Sequence, residues 1–435
     1  GGDPQAAPRS REATAVRVVF LNQTFHPDVA ATAQHAFDLA RDLASHGHEV
    51  HAIASRSLYG QRGATLPAEE TVEGVQVHRV GRSLFGKAGL AARLFDFVSF
   101  FAASTWRLLR MPRADVCVCL TTPPFIALAG LLAKRLRGGR LVIWSMDLYP
   151  DAPVAFGLMR SGSVLVRIAQ RLDRLCLSGA DAVVALGRCM RDRLIAKGVD
   201  PDRVEVIGVW SDEDEIVDEP RENPFRKRWS IGDRTLVMYS GNFGLGHDVE
   251  TFLDAAERLR ADDRVRFAFV GGGKRKPEVD AAVRDRDLRS CIVEGHQPRE
   301  ALGELLTAAD IHLVTIRPGV EGIMVPSKFY GILAAGRPAI LVGTPRGEIA
   351  LTIEEDRCGE LVPVGDGTAL AAAIVRRVED PAMAKAEGAR GRAALESRHS
   401  RRIRCETWRR LLESIVRGAD PAPSAAVAAL PEDAR

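Results

Sequence analysis

No run of apolar residues in this chain reaches the length of about 18 that a membrane-spanning helix requires. No secretory signal is visible at its start either. The seven cysteines fall at no metal or thioredoxin spacing, and an odd, scattered set favours a reducing compartment. Cys117 and Cys119 alternate in an apolar stretch, so they read as small core residues sharing one face. A formal charge of only +3 excludes a molecule that binds nucleic acid with its whole surface. Neither half opens on the Gly-x-Gly-x-x-Gly dinucleotide fingerprint, which argues against an NAD-dependent dehydrogenase.

What is present is apolar and regular. Hydrophobic residues make up 46 % of 435, enough for two domains with substantial cores. Val16–Leu21, His48–Ile53, Val116–Leu120, Leu141–Trp144 and Ala182–Leu186 read as buried strands with helices between them. Val204–Trp210 continues the series, and an acidic, proline-bearing stretch follows it. A second series runs through Leu236–Ser240, Phe267–Val270, Ile292–Glu294, Ile311–Val314 and Ala339–Val342. Strands alternating with helices predict right-handed crossovers and parallel sheets. The expected class is α/β, with two Rossmann-like doubly wound domains and the ligand in the cleft between them. The boundaries are a first domain over 16–210, a linker over 211–231, a second domain over 232–398 and a last helix over 399–418. Residues 1–15 and 419–435 are expected to be unstructured, the Gly-Gly start suggesting a trimmed tag or a processed chain.

Four places could carry chemistry in the second half. Pro326-Ser327-Lys328 leads into an apolar helical run that stops at Gly336-Arg337-Pro338. Ser327 can cap that helix, and a lysine beside free N–H groups suits a phosphate. Gly241-Asn242-Phe243-Gly244-Leu245-Gly246-His247 follows a strand and lets backbone approach a pyrophosphate, or is merely a tight turn. Gly271-Gly272-Gly273-Lys274-Arg275-Lys276 offers cations at a strand end without the Walker spacing, or is a solvated basic loop. Glu348 comes soon after a strand end, where a carboxylate can accept from ribose hydroxyls or simply open a helix.

In the first half, Asp147 lies just past a buried strand and can orient or deprotonate an acceptor hydroxyl, or cap a helix. His26, in the first strand-to-helix loop, can reach a substrate or serve the loop alone. Residues 82–140 hold ten Lys and Arg against two Asp, a local +8. Within them, Leu94–Arg110 is an aromatic-rich segment flanked by arginines. Phe97, Phe100, Phe101, Trp106, Arg107 and Arg110 are its candidates for contact with an anionic membrane surface, a core helix being the alternative.

With these residues together, the chain resembles the family 4 glycosyltransferases, which have the two-Rossmann GT-B fold. The likeness runs from about Val16 to Leu412. It rests on Phe25-His26-Pro27-Asp28, Asp147-Leu148-Tyr149-Pro150, Ser240-Gly241-Asn242-Phe243-Gly244, Pro326-Ser327-Lys328 and Ala334-Ala335-Gly336-Arg337-Pro338. In detail it resembles the branch that builds bacterial exopolysaccharides and O-antigen sugars, fucosamine-type transferases included. The resemblance implies retaining transfer from a nucleotide-diphosphate sugar, usually UDP-linked, to a lipid-linked or polysaccharide acceptor. It implies no metal and no further cofactor, a donor held by the second domain, and a final helix crossing back onto the first. It also implies a peripheral position on the cytoplasmic face of the plasma membrane. Two departures stand out. Asn242 and His247 occupy positions where many members carry an arginine and a lysine, and Ile323 and Gly331 replace the usual glutamate pair. Lys328, with Arg275 or Lys276, is therefore expected to hold the diphosphate, Glu348 the ribose, and Glu321 to face the donor sugar. The alternatives are a nucleotide-sugar epimerase of the same architecture and a non-catalytic sugar-nucleotide-binding partner.

Overall fold

Short apolar stretches rich in β-branched residues can bury both faces only between layers of helices, and both sheets form in that way. The computed structural model describes residues 15–58, 65–81, 90–211 and 223–418, with the side chains of 90–94 excepted. The expectations for 1–14, for the acidic part of the linker at 212–222, for Arg82 and Lys87, and for 419–435 lie outside the described residues.

The first sheet contains β1 (Arg17–Leu21), β2 (Glu49–Ser55), β3 (Glu69–Val72), β4 (Val75–Val80), β5 (Val116–Cys119), β6 (Arg140–Ser145), β7 (Ala182–Ala185) and β8 (Val204–Val206). Their order is β3-β4-β2-β1-β5-β6-β7-β8, parallel except for the β3–β4 hairpin at the edge. Around it lie α1 (Ala31–Ser45), α2 (Leu90–Arg110), α3 (Ala127–Arg137), α4 (Asp151–Ala155), α5 (Val164–Gly179) and α6 (Arg188–Ala196). After α7 (Pro224–Arg228) come β9 (Thr235–Ser240), β10 (Val265–Val270), β11 (Cys291–Glu294), β12 (Ile311–Thr315), β13 (Ala339–Gly343) and β14 (Gly359–Pro363). They form a parallel sheet in the order β11-β10-β9-β12-β13-β14. Its helices are α8 (Glu250–Arg258), α9 (Lys276–Asp285), α10 (Leu302–Ala308), α11 (Lys328–Ala334), α12 (Glu348–Asp356), α13 (Gly367–Glu379) and α14 (Pro381–Ala394). This is the doubly wound pair of domains that the strand rhythm predicts.

Two features differ from expectation. The β3–β4 hairpin escapes a search for apolar runs because His78 and Arg79 are buried in it. Both have charged partners: His78 bonds Glu69, and Arg79 pairs with Glu70 and donates to the His26 carbonyl at 2.7 Å. The linker is also shorter than its predicted span. Phe225 on α7 and Ile231 are buried with Leu236 and Met238 of β9, so this stretch belongs to the second core.

The last helix, α15 (Arg401–Arg417), is capped by Ser400 and packs on α1 of the first domain. Its Trp408 is fully buried, with its ring 4.6 Å from that of Trp144. Trp210 sits 5.8 Å from Trp144 and donates its indole N–H to Asp38 at 3.1 Å. Burying so large a side chain anchors a helix that arrives from the other domain. Replacing Trp408 by alanine is expected to cost about 3–5 kcal/mol, read as a lowered urea midpoint for the first domain.

Candidate functional site

The carboxyl ends of both sheets meet at one cleft, as open α/β sheets require of their ligand sites. On the second-domain side, the loop after β9 and the loop after β10 pack against each other. A Cβ on Gly271 would lie 2.0 Å from the Gly241 carbonyl oxygen, and one on Gly273 would lie 2.6 Å from that of Phe243. Both glycines have φ near +130°, so each meets two demands that other residues cannot. The Phe243 N–H donates to the Gly272 carbonyl at 2.7 Å and the Arg275 N–H to the Phe243 carbonyl at 2.9 Å. Tyr239 fixes the same loop from below, its hydroxyl donating to the Asn242 carbonyl at 2.9 Å.

Lys328 lies beneath this loop. Its ammonium stands 3.5 Å from the centre of the Tyr239 ring and is buried without a hydrogen-bond acceptor among the described residues. A Cβ on Gly241 would come within 2.9 Å of that nitrogen. Burial pushes the lysine pKa well below its usual value. A buried cation set over a ring face, with no acceptor, lacks the counter-charge that such a group ordinarily has. His247 is no counter-charge, since an imidazole is neutral or cationic; burial, Lys328 and Arg275 lower its pKa to about 3, and Nδ1 faces the Thr315 carbonyl at 2.8 Å. Nδ1–H therefore donates, and the imidazole is neutral.

The other predicted cations are engaged elsewhere. Arg275 donates to the His247 carbonyl at 2.6 Å and pairs with Glu278, bracing the glycine loop. Lys276 pairs with Asp280 one helical turn on. Ser327 stands at the start of α11 but makes no side-chain cap, contrary to expectation, because its backbone is already helical there (φ −60°, ψ −26°).

Across the cleft, Asp147 follows β6. The Thr121 hydroxyl lies 3.3 Å from its backbone nitrogen, and the next N–H, of Leu148, donates to the Ile323 carbonyl of the second domain at 3.0 Å. Desolvation alone raises its carboxyl pKa to about 6. It caps no helix in the structure, since α4 begins at Asp151 after Pro150. His26 is half-buried and stacks on Phe37 at 4.3 Å between ring centres. Burial lowers its pKa, and Arg299 of the second domain acts on it in the same direction.

Glu321 and Glu348 line a crevice between the domains together with Cys189, Gly322, Met324 and Pro326. Glu321 accepts from the Thr344 hydroxyl at 2.6 Å. Glu348 is held by the first domain, accepting from the backbone N–H of Arg188 at 2.6 Å and from its guanidinium at 3.2 Å. Neither Arg188 nor this contact is legible in the sequence, because 160 residues separate the partners. The cavity these residues enclose is about 10 Å³, room for about one water and far below the roughly 300–1,000 Å³ typical of ligand pockets.

The aromatic segment requires a correction. Among the residues expected to face a membrane, Phe100 is 2 % exposed and lies in the first core. Phe101 packs against that core, Phe97 is half-buried, and Arg107 bonds Glu69 and His78. Only Trp106, with Arg110 stacked 3.8 Å over its ring, is open among the aromatics of that set. The helix is two-faced: Asp96, Phe100, Ser104 and Leu108 turn inward at helical spacing.

Comparison with known proteins agrees with this architecture. Residues 31–210 match the family described as Glycosyl transferase 4-like domain, and residues 234–380 match Glycosyl transferases group 1. Over 351 residues the chain is 26 % identical to WcaI of Escherichia coli (strain K12), a glycosyl transferase named for colanic acid biosynthesis. That likeness covers 78 % of this chain and 86 % of WcaI. Sucrose-phosphate synthase from Thermosynechococcus elongatus superposes with a TM-score of 0.75 at 16 % identity, over 93 % of this chain and 100 % of that one. HepE from Anabaena, solved with UDP-glucose, gives 0.69 at 16 % identity, over 92 % and 100 %. At such identities the structures show a shared fold of two facing domains.

Proposed function

The chain belongs to the family 4 glycosyltransferases, and we propose that it moves a sugar, with retention, from a nucleotide-diphosphate donor to a lipid-linked or polysaccharide acceptor. The setting is cell-surface glycan synthesis, as the name of the colanic acid relative supports. The observation that carries the donor side is the Lys328 ammonium, buried and without an acceptor under two glycine loops. A diphosphate brought to those loops would supply the missing counter-charge and accept from backbone N–H groups. Gly241, Asn242, Gly244 and His247 shape that seat, while Arg275 keeps it in place. The leaving diphosphate gains negative charge as the glycosidic bond breaks, so a fixed cation stabilises the transition state more than the ground state. No further cofactor and no metal enter this reading.

Asp147 takes the acceptor side, where it orients the attacking hydroxyl and accepts its proton. Glu321 faces the donor sugar from the crevice, and His26 borders the acceptor end. Glu348 meets the ribose only once its pair with Arg188 has parted. We further propose the UDP-linked class of donor and a peripheral position on the inner face of the plasma membrane. No helix among the described residues is long and apolar enough to cross it.

Thermal unfolding against UDP, GDP, ADP, NAD and their sugars tests the donor. A ligand at about a hundred times its dissociation constant adds roughly 2.7 kcal/mol, a clear rise in midpoint. Stabilisation by one diphosphate nucleotide and its sugars is the expected result. A chain indifferent to all of them would remove the donor assignment.

A further inference from the structure

Among the described residues, twelve large hydrophobic side chains are exposed, and ten of them belong to one layer of the first domain. They are carried by α2, α3, α5 and the turn before α5. Those three helices are neighbours, since α2 packs on α3 and α3 on α5, whereas α15 covers α1. These exposed apolar residues thus sit on or beside three helices packed in sequence, while the crossing helix packs on α1.

The pattern is sharpest on α5. Val166, Cys176 and Leu177 turn inward. The outward half divides lengthwise: at 100° per residue, Leu165, Ile168 and Leu175 form one row and Arg167, Arg171 and Arg174 form the row beside it. None of those three arginines has an ion-pair partner among the described residues, and the helix's one acid, Asp173, is taken by Lys197 at 2.7 Å. A core helix has no reason to expose Leu165 at 68 %, and a solvated one has no reason to alternate it with cations. Apolar and cationic rows side by side suit the boundary between acyl chains and anionic headgroups.

The face also adjoins the site. The chain passes from Asp147 through α4 to Phe156, whose ring would lie 3.2 Å from a Cβ on Gly246 of the glycine loop. Two residues later Leu158 is exposed, and α5 begins at Val164. We infer that α5, with its preceding turn, is the surface on which this protein docks onto an anionic bilayer, setting the Asp147 edge of the cleft against the lipid from which an acceptor would come. The inference rests on the proposed function only for that acceptor; the docking itself is independent of it.

Flotation of the full chain with vesicles decides the matter, using mixed phosphatidylglycerol and phosphatidylcholine against phosphatidylcholine alone. The wild type is expected to float with the anionic vesicles only, and to be released by high salt. Two variants are read beside it, R167Q/R171Q/R174Q and L165S/I168S, all at exposed positions. Each should lose at least about tenfold in vesicle partition while its midpoint and its nucleotide-induced shift stay as in the wild type. A wild type that does not float, or variants that float equally well, would overturn the assignment. So would light scattering that shows a dimer broken by either variant without loss of flotation, since a second copy would then be the occupant. Loss of the nucleotide shift in the wild type would instead count against the donor reading and leave docking intact.

Discussion

Replacing Lys328 by methionine is expected to make the free protein more stable and nearly blind to its nucleotide. Methionine keeps the length and apolar stem of the lysine but removes a charge that is buried with no acceptor. Relieving an uncompensated buried cation should raise stability by about 1–3 kcal/mol. The same change removes the charge-assisted contact to a diphosphate, a loss of at least about hundredfold in affinity, or roughly 3 kcal/mol. Thermal midpoints with and without nucleotide read both effects in one experiment. A structural lysine would give the opposite sign in the free protein. Unchanged nucleotide affinity would sink the assignment whatever happened to the midpoint.

Asp147→Asn should show a related trade with a pH signature of its own. The carboxyl pKa is raised to about 6 in the folded chain, against about 3.9 when unfolded. The folded state therefore holds the proton more tightly, and between about pH 4 and 6 stability falls as pH rises. Above that window the wild type bears the full burden of a buried carboxylate. Asparagine removes it, so the variant should be more stable by about 1–3 kcal/mol at pH 8 and no different at pH 4. Turnover should move the other way. Wild-type activity is expected to fall as pH drops through about 6, and the variant to lose about 10²–10⁴-fold with that limb gone. Urea midpoints and initial rates across pH measure the two. A pH limb that survives in the variant would assign the proton to another group.

The fold was legible where burial is complete. Strands such as β5 and β13 are apolar throughout, because both faces of a central parallel strand are covered and local composition reports it. Edges were less legible. β3 alternates exposed and half-buried residues, and β14 is half-buried over most of its length. Glu73-Gly74, with φ of 47° and 82°, is a two-residue turn between β3 and β4. That pair, with the alternating Val75 and Val77, was the signal that could have revealed the hairpin. At the site, Lys328 and the glycine loops could be read locally because their setting is a strand end followed by a helix. Glu348 could not: its partner Arg188 is brought to it by the meeting of two domains, and no window along the chain contains both. The two-sided character of α2 was hidden for a different reason. Aromatic residues occur on its inner and outer faces alike, and composition does not tell which side meets a sheet.

The contact between Arg188 and Glu348 has a kinetic consequence. In the closed arrangement it joins the domains over a crevice too small for a whole nucleotide sugar. Entry must then wait for the pair to separate. At low donor concentration the observed binding rate would climb with concentration; at high concentration it would flatten at the frequency of opening. Weakening that one carboxylate contact would lift the plateau, so a residue expected to grip the ribose would act first as the gatekeeper of how often the protein can be loaded.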